Sequence, residues 1–308
     1  MDINMSLILT NNFVKVLITG ANGLLGQKLI QLILKNNDSV IGTSKGPDRN
    51  IRGNHVYAEL DITKKEQVNK IVAKYQPDVI INTAAMTNVD QCETDKKACW
   101  ALNVEAVSHL ITACQEYGIK LIHLSTDFIF DGENGPYDEQ ATTNPLSYYG
   151  ESKLAGEKIV ETSNLNWAIA RTVLVYGFVN EMSRSNIVLW VKNSLEQGKH
   201  LKIVDDQCRT PTLAEDLALG CYLIAQKDAR GIYNISGSDI LTPYELAIKT
   251  AEFYQLDKSL IEKVDSTTFT QPAKRPAKTG FIIEKAHREL GYIPHTFTEG
   301  LAILSKQL

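Results

Sequence analysis

This chain lacks the residue patterns of several common function classes. Its five cysteines (Cys92, Cys99, Cys114, Cys208, Cys221) include no C-x-x-C pair, and most fall in apolar periodic segments. Reduced, packed thiols are therefore expected rather than a disulfide framework or a zinc site. Its six histidines show no H-E-x-x-H spacing and no segment reads G-x-S-x-G, which removes the motif support for a metalloprotease or a serine hydrolase. No metal site is expected. Net charge is −4 without a long basic run, so the electrostatic footprint of a nucleic-acid or acidic-membrane binder is missing. No stretch approaches the length of a membrane span. Residues 1–12 read as a loose leader: only Ser6 to Thr10 resembles an apolar run, too short for a signal h-region and without a basic n-region. A cytoplasmic protein whose partners are small molecules or proteins is the expectation.

What is present is a chain of 308 residues, 44% hydrophobic and 22% charged, enough for one large α/β domain and a smaller lobe. The β-branched run Val14 to Thr19 reads as a strand and feeds directly into Gly20-Ala21-Asn22-Gly23-Leu24-Leu25-Gly26, followed by a helical pattern from Gln27 to Lys35. In such a setting the glycines allow a tight turn, close backbone approach to a pyrophosphate and close helix-on-sheet packing, with the helix N-terminus facing the anion. About twenty residues further on, where an acid would take the adenosine ribose 2′-hydroxyl, stand Ser44-Lys45. A hydroxyl and a cation suit a 2′-phosphate, so NADP(H) is favoured and NAD(H) is the alternative, with Asp48 the nearby acid that would favour it. Read without a ligand, Ser44-Lys45 is a solvated turn before Gly46-Pro47.

Strands then alternate with helices: Val56 to Asp61, Asp78 to Asn82, Lys120 to Leu124 and Trp167 to Tyr176 as strands, Lys64 to Tyr75 and Ala98 to Tyr117 as helices. This order predicts a doubly wound parallel sheet of Rossmann type, with ligands at the carboxyl ends of the strands. Asp61 is placed to contact an adenine or to cap the next helix. Asn82-Thr83-Ala84-Ala85 offers small side chains that a cofactor can approach, and Asn103, inside a helix, is by default solvent-facing. Thr126 is either a hydroxyl for a substrate carbonyl or one that satisfies local backbone. Residues 13–177 are expected to form mainly the dinucleotide domain. Residues 178–308 are expected to form a smaller α/β substrate lobe interleaved with it, with helix 213–226 packing on the dinucleotide domain.

Ser147-Tyr148-Tyr149-Gly150-Glu151-Ser152-Lys153 puts a phenol and an ammonium four residues apart, one face of a helix. Tyr148, about 140° around from Lys153, is the worse partner. A cation beside Tyr149 favours the phenolate and brings its pKa down from about 10, which would let it give a proton to a carbonyl as hydride arrives from elsewhere. The plain alternative is an exposed Lys and a packed Tyr. In Lys274-Arg275-Pro276, the proline biases Arg275 toward extended backbone and its guanidinium suits phosphate oxygens, or the segment is a solvated basic loop.

These strings in this order resemble the extended short-chain dehydrogenases/reductases, and most closely the dTDP-4-dehydrorhamnose reductases. The specific matches are the glycine turn, Asn82 to Ala85 running on to Val89-Asp90, and Ser125-Thr126-Asp127-Phe128-Ile129-Phe130-Asp131-Gly132. They continue with Tyr149 to Glu157, Asp205-Asp206-Gln207 with Pro211-Thr212, and Arg275-Pro276. The resemblance implies an active-site tetrad of Asn103, Thr126, Tyr149 and Lys153, in which Lys153 holds the nicotinamide ribose and Asn103 supports a water relay. The reaction it implies is NADPH-dependent reduction of a nucleotide-sugar 4-ketone, giving dTDP-L-rhamnose as a polysaccharide precursor. The cofactor residues expected are Gly20, Asn22, Gly23, Leu24, Leu25, Gly26, Ser44, Lys45, Asp61, Ile62, Thr83, Ala84 and Ala85, together with Tyr149 and Lys153. Those expected against a nucleotide-diphosphate sugar are Thr87, Val89, Asp127, Phe128 and Arg275. Related dehydratases carry a carboxylate where Phe128 stands, so elimination chemistry is not expected. Leu24 and Arg209 stand where the reductases often have Gln and Gly, and no Trp follows Trp190. Those departures lean toward the regulatory β-subunit of methionine adenosyltransferase. A non-catalytic NADP-binding subunit and a nucleotide-sugar epimerase are accordingly the alternatives, and a homodimer is the oligomer considered.

Overall fold

In a computed structural model that describes residues 14–50, 54–182 and 184–308, the β-branched runs become the strands of one parallel sheet. The first half of the chain runs β1 (Lys15–Thr19), α1 (Leu24–Lys35), β2 (Ser39–Ser44), β3 (Val56–Glu59), α2 (Lys65–Tyr75) and β4 (Val79–Asn82). It continues through short helices α3 (Val89–Thr94) and α4 (Lys96–Trp100) into α5 (Ala106–Tyr117), β5 (Lys120–Thr126), α6 (Tyr148–Glu161) and β6 (Trp167–Thr172). The second half holds β7 (Val175–Tyr176), α7 (Ile187–Glu196), β8 (Leu201–Val204), β9 (Thr212–Leu213), α8 (Ala214–Gln226) and β10 (Gly231–Asn234). It ends with α9 (Pro243–Phe253), β11 (Ile261–Val264) and α10 (Phe297–Ser305). The leader expected at 1–12 lies outside the described residues.

Seven strands lie in the order β10-β6-β5-β4-β1-β2-β3, every pair parallel. The order reverses between β1 and β4, and in an open parallel sheet a ligand crevice forms outside the strand ends at such a reversal. Each face is covered by helices. Leu29, Ile30 and Ile33 of α1 and Leu217, Cys221 and Ile224 of α8 pack under Val16, Ile18 and Ile81. Val68 and Val72 of α2, Leu110 of α5 and Val160 of α6 cover Leu17, Ile80 and Leu121 on the other face. Burial on both sides explains why the strands read as continuous apolar runs, each such side chain contributing roughly 1.5–3 kcal/mol.

A smaller unit is built on the parallel pair β8 and β11, packed by Val191 and Leu195 of α7 and Ala247 and Ala251 of α9. Capping boxes, Thr242 with Glu245 and Thr296 with Glu299, fix the starts of α9 and α10.

Two elements differ from the sequence expectation. The strand expected over Trp167 to Tyr176 stops at Thr172, because Leu174 adopts φ 39°, a left-handed conformation that cannot continue an extended ladder. β7 then leaves the main sheet and pairs with β9. The helix expected over Ala98 to Tyr117 is interrupted by a π turn at Ala101–Glu105 that contains Asn103.

Candidate active site

Local sequence builds the floor of the site. Gly20 turns with φ +70°, and a Cβ there would sit 2.8 Å from Thr83 Oγ1. At Gly26 a Cβ would collide with the Gly20 carbonyl and lie 2.7 Å from Ala21 Cα, so only glycine lets α1 start this close to β1. Gly23 occupies the N-cap of α1 with no side-chain cap, and the first turn holds no acid, which leaves that helix end open to an anion. Asn22 ties the turn to the loop after β2, accepting from Arg49 N at 2.9 Å and donating to Pro47 O at 2.9 Å.

Above this floor runs a cleft of ≈ 860 Å³. Its walls include Gly20, Asn22 to Gly26, Ser44, Lys45, Asp61, Ile62, Thr83 to Ala85, Thr87, Val89, Thr126, Asp127, Phe128, Tyr149 and Lys153. Residues separated by more than a hundred positions thus meet at the carboxyl ends of β1, β4 and β5. Burial would raise the Asp61 carboxyl, but hydrogen bonds from Thr63 and an ion pair with Lys45 at 3.0 Å together hold it below its usual range. Asp61 does not cap α2; Lys64 occupies that position.

Tyr149 and Lys153 share the buried face of α6, whose N-cap Ser147 accepts from Gly150 N. Burial pushes the Tyr149 phenol well above its usual range, opposed by its hydrogen bond with Thr126. This corrects the expectation that Lys153 brings that pKa down: removal from water dominates, and the nearby Asp127 charge adds to it. Lys153 is itself pulled down to about 8 by burial, opposed by the charges of Glu157 and Cys99. Its ammonium donates to Leu124 O at 2.6 Å and lies 3.4 Å from His123 Nε2. Thr126 Oγ1 donates to Asp127 Oδ1 at 3.1 Å and accepts from Phe128 N at 3.3 Å. Burial raises the Asp127 carboxyl, opposed by Arg209 and by hydrogen bonds from Thr279 and Thr126. Phe128 meets the Tyr149 ring edge-on, centroids 5.7 Å apart, and so presents an apolar wall beside the phenol.

Asn103 and Arg275 are not among the residues lining this cleft. Asn103 is buried rather than solvent-facing: the π turn points its amide at the loop after β4, accepting from Met86 N at 2.8 Å and donating to Met86 O at 3.1 Å and Ser152 Oγ at 3.0 Å. Arg275 pairs with Asp90 at 2.8 Å and donates to Ala273 O. Arg49, Arg184 and Arg209 line the cleft and were missed as contacts by sequence reading. Arg209 directs Nη1 to the Cys208 and Ala277 carbonyls and Nη2 to Gln207 Oε1 and the Pro276 carbonyl, which braces two loops. Its place where related chains have Gly was the available signal; Arg49 and Arg184 lie in turns with no distinguishing pattern.

The RmlD substrate binding domain family matches residues 14–308. The chain belongs to that family. It is 31% identical to dTDP-4-dehydrorhamnose reductase of Aggregatibacter actinomycetemcomitans, over 93% of this chain and 97% of that one. It is 32% identical to methionine adenosyltransferase 2 subunit beta of Bos taurus, over 85% of this chain and 78% of that one. A crystal structure of dTDP-4-dehydrorhamnose reductase from Bacillus anthracis str. Ames in complex with NADP superposes with a TM-score of 0.84 at 28% identity, covering 96% and 99% of the two chains. Family members of this kind share the extended short-chain dehydrogenase/reductase architecture seen here, a Rossmann-type sheet with its cleft at the strand ends.

Proposed function

We propose that this protein is an NADPH-dependent reductase of a nucleotide-sugar 4-ketone, with dTDP-4-dehydrorhamnose as the substrate. The observation that carries the reading is the meeting of Tyr149, Lys153 and Thr126 on one wall of the cleft whose floor is the open N-terminus of α1. That floor fits a dinucleotide, because Gly20 and Gly26 leave bare the space a side chain would fill. Gly20, Gly23 and Gly26 would hold the pyrophosphate, and Ser44, Lys45 and Arg49 a 2′-phosphate; the bound cofactor supplies the hydride.

The chain's own residues do the rest. Tyr149 gives its proton to the ketone oxygen, Thr126 holds the phenol in place, and Lys153 supplies the local positive charge. Phe128 offers no carboxylate for elimination. Asn103 fixes the loop carrying Ala84, Ala85 and Thr87 along the cleft. For the substrate diphosphate, Arg184 is a guanidinium on the cleft wall, donating to Thr87 O at 3.2 Å. Arg275, paired with Asp90, stands outside the cleft lining.

The test is NADPH oxidation with dTDP-4-dehydrorhamnose, wild type against Tyr149→Phe. General acid catalysis is worth roughly 10²- to 10⁴-fold, so the variant should lose about that factor in turnover while still binding NADPH. An epimerase would consume no stoichiometric NADPH. Equal background rates for both proteins, with activity recovered only in a partner enzyme, would support a regulatory subunit instead. Light scattering on the same samples tests for a homodimer.

A further inference from the structure

Below the cleft, on the sheet face covered by α5 and α6, three polar side chains stand side by side where the neighbouring layer is apolar. Thr19, Asn82 and His123 are in register across β1, β4 and β5, and all three are buried. Thr19 Oγ1 lies 2.6 Å from Asn82 Oδ1, Asn82 Nδ2 lies 3.1 Å from His123 Nδ1, and His123 Nε2 lies 3.4 Å from Lys153 Nζ. Gly156 lets α6 pack close here: a Cβ there would sit 2.7 Å from the Asn103 carbonyl, so a side chain would push α6 away from the π turn.

Burial and the Lys153 charge hold His123 well below its usual pKa, so the ring is neutral and has one N–H and one lone pair. An amide nitrogen and an ammonium are both donors, and a neutral imidazole cannot accept from both. The conflict has two resolutions, because the oxygen and nitrogen of a carboxamide have nearly the same shape. With the Asn82 nitrogen toward the ring, the ring proton sits on Nε2 and faces Lys153, which suits a neutral amine. With the amide turned over, the ring proton sits on Nδ1, and the Nε2 lone pair accepts from a Lys153 ammonium.

We propose that Thr19, Asn82 and His123 form a buried two-state row in which the setting of the Asn82 amide goes with the charge of Lys153. His123 is then a positioning residue for Lys153. The inference rests on the reading of Lys153 as the cation of the site. Glu157 and Tyr149 of α6, Cys99 of α4 and His123 of β5 are the titratable groups facing it, and Glu157 is held by Arg171 of β6.

Long-range ¹⁵N–¹H NMR of the His123 ring in the full chain, assigned by loss of the signal in His123→Gln, tests this without substrate or turnover. From about pH 6.5 to about pH 9.5 the ring proton should move from Nδ1 to Nε2 as Lys153 titrates. In Lys153→Met that step should disappear. In Asn82→Asp the added carboxylate accepts only, so the proton should stay on Nδ1 and the Lys153 midpoint should rise by roughly one unit or more. A ring proton that stays on one nitrogen across the range in the wild type, or a step that survives Lys153→Met, overturns the proposal. A tautomer step in a protein that reduces no 4-keto sugar nucleotide would keep this inference and remove the functional reading.

Discussion

Lys153 is a buried cation, and its burial has a price in stability that its chemistry explains. Its folded pKa of about 8 lies below the unfolded value of about 10.4, so between those values the unfolded chain binds more protons. Stability from this group therefore rises with pH through that window, and the full penalty is present below about pH 8. Replacing the ammonium by a thioether of similar length removes a penalty of a few kcal/mol. Lys153→Met should accordingly unfold at higher denaturant than wild type near neutral pH while losing turnover. A lower midpoint for Lys153→Met would show that the ammonium is a net stabiliser. In the wild type, NADPH-dependent activity should fall as pH rises through about 8, where Lys153 loses its charge. Tyr149 stays a phenol across that range, since burial holds its pKa well above the usual value.

Helices α1 and α6 are each held by a contact that one substitution would break. Gly26→Ala places a methyl group against the Gly20 carbonyl, which is backbone and cannot rotate aside. The turn must open, so NADPH affinity should fall at least tenfold, about 1.4 kcal/mol, by calorimetric titration. Unchanged affinity would mean that this turn does not hold the cofactor. On α6, Glu157 receives Arg171 through Nε at 2.9 Å and Nη2 at 2.7 Å, and both side chains are buried. Glu157→Gln leaves the guanidinium charge unpaired, which costs roughly 3–5 kcal/mol. Urea unfolding should show a loss of unfolding free energy of that size, read as a lower midpoint, with α6 loosened from β6 and the Tyr149 position disturbed.

For the whole molecule, the cleft draws on both halves of the chain, from Gly20 to Leu217, so a ligand that fills it ties them together. Free NADPH at about 100 times its Kd should stabilise the fold by about 2.7 kcal/mol. A larger thermal shift with NADH than with NADPH at equal concentration would remove the 2′-phosphate argument for Ser44 and Lys45. No helix among the described residues is long and apolar enough to cross a membrane.

By itself the sequence determined the parallel sheet, the glycine turn and the shared face of Tyr149 and Lys153, because strand runs, turn chemistry and helical spacing are properties of adjacent residues. Tertiary structure decided what those residues experience. Asn103 looked solvent-facing until the π turn and the Met86 loop buried it. Arg275 looked free for a phosphate until Asp90, far away in sequence, was brought against it. The direction of the Tyr149 shift reversed because loss of water depends on everything packed around the phenol, while the four-residue spacing reports only one neighbour.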